Sequence, residues 1–132
     1  MLGLDTNVLV RYLTQDDAGQ SARATRLLAS CTPQMPGFIP VVVLVELVWV
    51  LESCYQASHE VVARTLEQLL RTRELQTEQT EIVWKALRLF NAGHQDFADC
   101  VIACSASKAG CTALYSFDRA AIQQCGMQPV PE

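Results

Sequence analysis

Five acidic residues stand out by the company they keep: Asp5, Glu46, Asp96, Asp99 and Asp118. Asp5 closes the apolar run Leu2-Gly3-Leu4. Glu46 is the one charge between Val41 and Leu51, and Asp99 sits beside Phe97, Val101 and Ile102. A charge turned inward from such a run is expensive unless paired. Two carboxylates about 5 Å apart repel by roughly 3 kcal/mol at an effective dielectric of 20. Three or four together at neutral pH would take up protons or splay apart. No Lys or Arg adjoins Asp5, Glu46 or Asp99 to neutralise them. A divalent cation would, and oxygen ligands without nearby His or Cys favour Mg²⁺ or Mn²⁺ over Zn²⁺. Such an ion bridges carboxylates to substrate phosphates, lowers the pKa of a bound water and stabilises a leaving oxygen. The chemistry expected is hydrolysis of a nucleic-acid backbone without a covalent intermediate.

Each acid also has a plainer reading. Asp5 and Asp118 could simply cap helices. Asp96 is a natural N-cap for its own helix, with Asp99 three residues on and so on the same side. Glu46 could occupy a helix edge turned to solvent.

The elements that would position these groups alternate along the chain. Leu2–Leu4 reads as a brief strand ending at Asp5, followed by a helix over Asn7–Leu13. Asp17 can cap a helix running to Ser30 with Ala22, Leu27 and Leu28 inward. After the loop 32–37, a strand over Phe38–Val42 carries Pro40, which suits a sheet edge or strand end. The pattern turns helical from Val43 to Tyr55, placing Glu46 in a first turn. Ser58 can cap a helix whose Val61, Val62, Leu66, Leu69 and Leu70 share a face. Leu75-Gln76 reads as a short strand, and Thr80 can cap a helix carrying Ile82, Val83, Leu87 and Phe90. Asp96–Ala109 is helical and stops at Gly110. Ala113–Phe117 is a strand, Ala120–Gln124 a short helix and Met127–Val130 a last strand. This alternation argues an α/β architecture with a mainly parallel sheet, where function collects at the carboxyl ends of strands. Asp5 and Asp118 would face one crevice if their strands are neighbours.

The 132 residues suit one domain over 1–132, large enough to bury roughly two-thirds of the unfolded surface. Half the residues are apolar and 18% are charged, which excludes a disordered chain. The net charge of −4 argues against a protein that coats nucleic acid. Setting the five acids aside leaves nine acidic against ten basic residues, a balanced surface around an acidic site. Arg11, Lys108 and Arg119 lie near the motif ends and could meet substrate phosphates. The six cysteines form no CxxC pair, and His59 and His94 lack zinc spacing. Without a basic, apolar leader the cysteines are expected reduced and mostly buried, and the protein cytoplasmic. The apolar stretch Phe38–Leu51 is too short to span a bilayer, so no membrane association is expected. Trp49 and Trp84 are expected to pack in the core, although the helix Val43–Tyr55 is apolar enough for Trp49 to lie at a contact.

Four segments together resemble the successive motifs of PIN domains, nearest to the VapC-type toxins of toxin–antitoxin pairs. They are Asp5-Thr6-Asn7-Val8-Leu9, Ile39 to Leu47 around Glu46, Asp96 to Ala103 around Asp99, and Tyr115-Ser116-Phe117-Asp118-Arg119. The resemblance runs nearly end to end, in the family's order and spacing. It implies a three-layer α/β/α sandwich and a metal-dependent endoribonuclease using Mg²⁺ or Mn²⁺. Asp5, Glu46 and Asp99 match the three main acidic positions, and Asp118 matches a fourth, more variable one. Asn7 and Ser116 match polar positions that orient a carboxylate or a metal-bound water. Ser116 stands where Thr is more usual and keeps the hydroxyl. Asp96 matches an often acidic position outside the main set, suited to capping or support. The resemblance further implies an RNA substrate, a cognate antitoxin that covers the cleft, and a homodimer. Two rivals remain: a PIN-like binding module without catalysis, and phosphotransfer on an aspartate. The second wants another Asp two residues after Asp5, where Asn7 stands.

Overall fold

Asp5 lies two residues past the first strand and caps the first helix, and much of the local structure follows from that junction. The computed structural model describes residues 1–94 and 96–132. It divides into two units, Met1–Thr80 and Glu81–Glu132, each taken in turn.

In the first unit, β1 (Leu2–Gly3), β2 (Gly37–Ile39) and β3 (Leu75–Thr77) form a parallel sheet in the order β1-β2-β3. Leu2 pairs with Gly37, and Gly37 with Leu75. Gly37 is packed in on three sides. A Cβ there would stand 2.8 Å from Leu4 Cδ1, 3.0 Å from Leu75 Cδ2 and 3.3 Å from Cys31 Sγ. The β1–β2 crossover holds α1 (Thr6–Thr14) and α2 (Ala18–Ala29); the β2–β3 crossover holds α3 (Val41–Tyr55) and α4 (His59–Arg71). Helical crossovers are what parallel strands require. α1 packs on α2 and α3, and α3 on α4. Leu4, Leu9, Ile39, Leu44, Leu47, Val62 and Leu66 are buried here.

Several boundaries differ from the sequence reading. β2 stops at Ile39 because Pro40 lacks an N–H for the ladder and its fixed φ of −58° suits a helix entry. α3 therefore begins at Val41, two residues early. Pro40 offers no side-chain cap, and the Val41 amide instead donates to Glu78 Oε1 at 2.9 Å. Glu46 consequently lies in the second turn, not the first. The inward stripe of α2 is Ser21 and Ala24, with Leu28 half-buried; Ala22 and Leu27 face solvent. The Asp17 cap and the Ser58 cap form as expected, accepting from Gln20 and Val61 amides. On α4, Val62, Leu66 and Leu69 are buried, while Val61 is exposed. Trp49 is 64% exposed rather than in the core, whereas Trp84 is half-buried.

In the second unit, α5 continues from Thr80 to Asn91 and buries Ile82, Val83, Ala86, Leu87 and Phe90. α6 (Phe97–Ala109) is capped by Asp96, whose carboxylate accepts the Asp99 amide, and ends at Gly110 in the left-handed region (φ 88°). Phe90 and Phe97 meet edge to face with centroids 5.9 Å apart. β4 (Tyr115–Ser116) and β5 (Gln128–Pro129) form a second parallel pair, with α7 (Arg119–Gln124) between them. The class is α/β with parallel pairing, as expected, but every strand except β3, which gains Thr77, is shorter than the sequence suggested. β4 is hydrogen-bonded to β5, and β1 to β2.

Candidate active site

In the first unit, Asp5 is the N-cap of α1. Its Oδ1 accepts the Thr6 amide at 2.8 Å. The Thr6 hydroxyl donates to Glu46 Oε1 at 2.7 Å. Thr6 is buried (7% exposed) while both acids are exposed. Glu46 thus occupies the solvent edge of α3, with Val42 and Trp49 exposed on the same edge. The apolar run around Glu46 does not force it inward, because α3 keeps one open edge; the Thr6 hydroxyl holds it in place. Among the described residues, Asp5 Oδ2 and Glu46 Oε2 accept nothing, so each acid keeps one oxygen available. Asn7, exposed on α1, borders a cleft of about 390 Å³ together with Arg11 and Arg23.

In the second unit, the charges of Asp96 and Asp118 act on Asp99. Asp96 Oδ1 accepts the Asp99 amide at 3.0 Å, and Asp118 Oδ1 accepts the amides of Ala120 and Ala121 at 2.8 and 3.3 Å. Both are therefore caps, as their plainer readings had it. The Asp99 carboxylate accepts no hydrogen bond among the described residues. Partial burial pushes its pKa up, and the charges of Asp96 and Asp118 push it further. Ser116 Oγ accepts the Asp118 amide at 2.9 Å, so it shapes the turn that presents Asp118.

The donor chemistry of both units is all oxygen, with carboxylate atoms left unpaired, and that suits a hard dication. Neither unit by itself gathers three or more His, Cys, Asp or Glu in metal-holding geometry among the described residues.

The three basic residues differ. Arg11 is engaged: its guanidinium donates to Asp16 at 3.0 Å and to Gln20 at 2.8 Å. The Asp16 hydrogen bond raises the Arg11 pKa, and the Tyr55 hydroxyl, with Thr14 and Arg11, holds Asp16 down to about 2. Lys108 reaches Glu81 at 3.4 Å on the surface. Arg119 is exposed and makes no ion pair among the described residues.

All six cysteines are free, but only Cys31 and Cys100 are buried; Cys54 and Cys111 are exposed. The expectation of mostly buried thiols is corrected, since loop and helix-edge positions place the others outside the core. Burial, reinforced by Cys125, pushes the Cys100 thiol up to about 12. Cys125 Sγ lies 3.9 Å from His94 Nδ1.

Two motif residues stand out in the structure beyond what the sequence assigns them. Thr6 is one, and a hydroxyl directly after an acid at a helix start was the available signal. Phe117 is the other, 88% exposed beside Asp118.

No helix of the chain is long and apolar enough to cross a membrane among the described residues. Comparison with known proteins matches residues 3–125 to the PIN domain. The chain is 26% identical over 116 residues to a VapC ribonuclease of Aquifex aeolicus (strain VF5), covering 88% of this chain and 86% of that protein. No solved structure matches. The match takes in both units and every acid described above, and the chain belongs to the PIN domain family.

Proposed function

We propose that the chain is a Mg²⁺- or Mn²⁺-dependent endoribonuclease and the toxin of a toxin–antitoxin pair. The carrying observation is the Asp5–Thr6–Glu46 arrangement. One buried threonine orients two acids far apart in sequence and leaves an outward oxygen on each. Asp5, Glu46 and Asp99 are the residues that would hold the cation, with Asp118 as a fourth. When bound, the cation supplies charge neutralisation and Lewis acidity at the phosphodiester.

The chain's own groups have separate tasks. Thr6 fixes the direction of the Glu46 carboxylate. Asp96 fixes the first turn of α6 and so the backbone that carries Asp99. Ser116 holds the Asp118 turn, and Asn7 presents an amide beside the α1 start. Arg119 is the cation free to meet a phosphate.

The similarity to a VapC ribonuclease supports RNA as substrate and an antitoxin as partner. Val42 and Trp49, exposed on the edge of α3 that also carries Glu46, support a protein partner that covers the site, as an antitoxin would; a homodimer belongs to the same reading. A cytoplasmic location and a single functional domain over residues 1–132 belong to the same reading. The test is cleavage of total RNA by wild type and Asp5→Asn, each with Mn²⁺, with Mg²⁺ and with EDTA. Cuts made only by wild type and only with metal are expected; equal cutting by Asp5→Asn overturns the reading.

A further inference from the structure

Phe117 is the most exposed large apolar side chain among the described residues, at 88%, and Tyr115 is 52% exposed. The two are separated by Ser116, which is half-buried. β4 ends at Ser116, and Phe117 stands exposed on the turn that follows it, two residues from Tyr115. A ring exposed to this extent offers its face to a planar base.

The surroundings specify what would cover these rings. Phe117 directly precedes Asp118, whose charge acts on Asp99. The Ser116–Asp118 hydrogen bond fixes the turn that carries Phe117. Arg119, next along, is exposed and makes no ion pair among the described residues. An aromatic face, a free guanidinium and one candidate metal-holding acid, Asp118, within five residues are the parts of a single-strand site: stacking for a base, a cation for a phosphate. A purely apolar protein contact would not call for the acids and the arginine.

We propose that Phe117, assisted by Tyr115, is a stacking platform for an unpaired nucleobase of the RNA, seated next to the phosphate that is cut. The inference rests on the nuclease reading and adds a specificity-determining surface to it. Stacking is tolerant of base identity, so the platform selects unpaired over paired RNA more than one sequence over another.

The experiment uses the full chain in EDTA with a single-stranded RNA oligomer containing 2-aminopurine, whose fluorescence falls on stacking. Wild type and Phe117→Trp are expected to quench it. Phe117→Ala is expected to lose the quench and bind about 5- to 100-fold more weakly. Phe117→Leu keeps apolar bulk without a π-face and should behave like Phe117→Ala. In Mn²⁺, Phe117→Ala should raise KM by more than it lowers kcat. Unchanged affinity in Phe117→Ala, or full affinity in Phe117→Leu, overturns the platform while leaving the nuclease reading intact. A change of oligomeric state in Phe117→Ala by light scattering, with RNA affinity unchanged, identifies a protein contact and also overturns it. Wild type that neither binds nor cuts RNA overturns both.

Discussion

The Thr6 hydroxyl donates to Glu46 Oε1 at 2.7 Å, across 40 residues of sequence, while its amide serves Asp5. One small buried residue therefore holds two acids, Glu46 on α3 through its side chain and Asp5 at the N-cap of α1 through its backbone amide. Thr6→Val keeps the shape and removes the hydroxyl. It is expected to cost about 1 kcal/mol of stability in urea and to lower the cleavage rate. Thr6→Ser retains the donor and should stay near wild type. A Thr6→Val protein that cuts RNA at the wild-type rate would remove Thr6 from the site.

Asp99 gives a pH dependence whose sign is fixed. Its pKa is raised in the folded chain by burial, then by Asp96 and Asp118. Between the unfolded value and the raised folded one, the native state holds more protons, so stability falls as pH rises through that window. Asp99→Asn removes the effect. In EDTA at pH 7 it is expected to melt above wild type, and the difference should close below the ordinary carboxylate range, where both states are protonated. A lower melting temperature for Asp99→Asn at pH 7 would contradict this.

Asp118 combines two tasks that substitution can separate. Asn at position 118 can still accept the Ala120 and Ala121 amides, whereas Ala cannot. Asp118→Ala should cost about 1 kcal/mol through the lost cap. Asp118→Asn should keep most of that stability and lose only the charge that would act on a cation. If thermal unfolding shows the two variants equally destabilised, the capping account fails.

Binding of a cation to the native state alone raises the melting temperature by mass action. Millimolar Mg²⁺ or Mn²⁺ is expected to stabilise wild type, and Asp5→Asn and Asp99→Asn should each suppress the shift. The pair tests one acid from each unit by the same calorimetric readout. An undiminished shift in either variant would place the cation elsewhere.

The acids and the elements bearing them were legible from sequence because capping and apolar periodicity are local. Asp17, Ser58 and Asp96 cap where side-chain chemistry says they should. What escaped was rotational phase and contact at a distance. The buried stripe of α2 is set by which neighbour it meets, not by its leucines, so Ser21 is inside and Leu27 outside. Pro40 could be a strand residue or a helix entry, and only the Val41–Glu78 hydrogen bond decides. Trp49 shows the limit of hydrophobicity as a guide, since α3 is apolar on nearly every side and one side must still face water. Thr6 could not be assigned, because its partner lies 40 residues away.

The uneven accessibility of the six thiols determines how the protein can be tagged. Cys54 and Cys111 stand in solvent, while Cys100 is enclosed and its proton is held to about pH 12. Maleimide reagents near neutrality need thiolate and access, so they discriminate among these sites without mutagenesis. A dye can be attached at α3 or just past the end of α6 while Cys100, the immediate neighbour of Asp99, keeps its native sulfur.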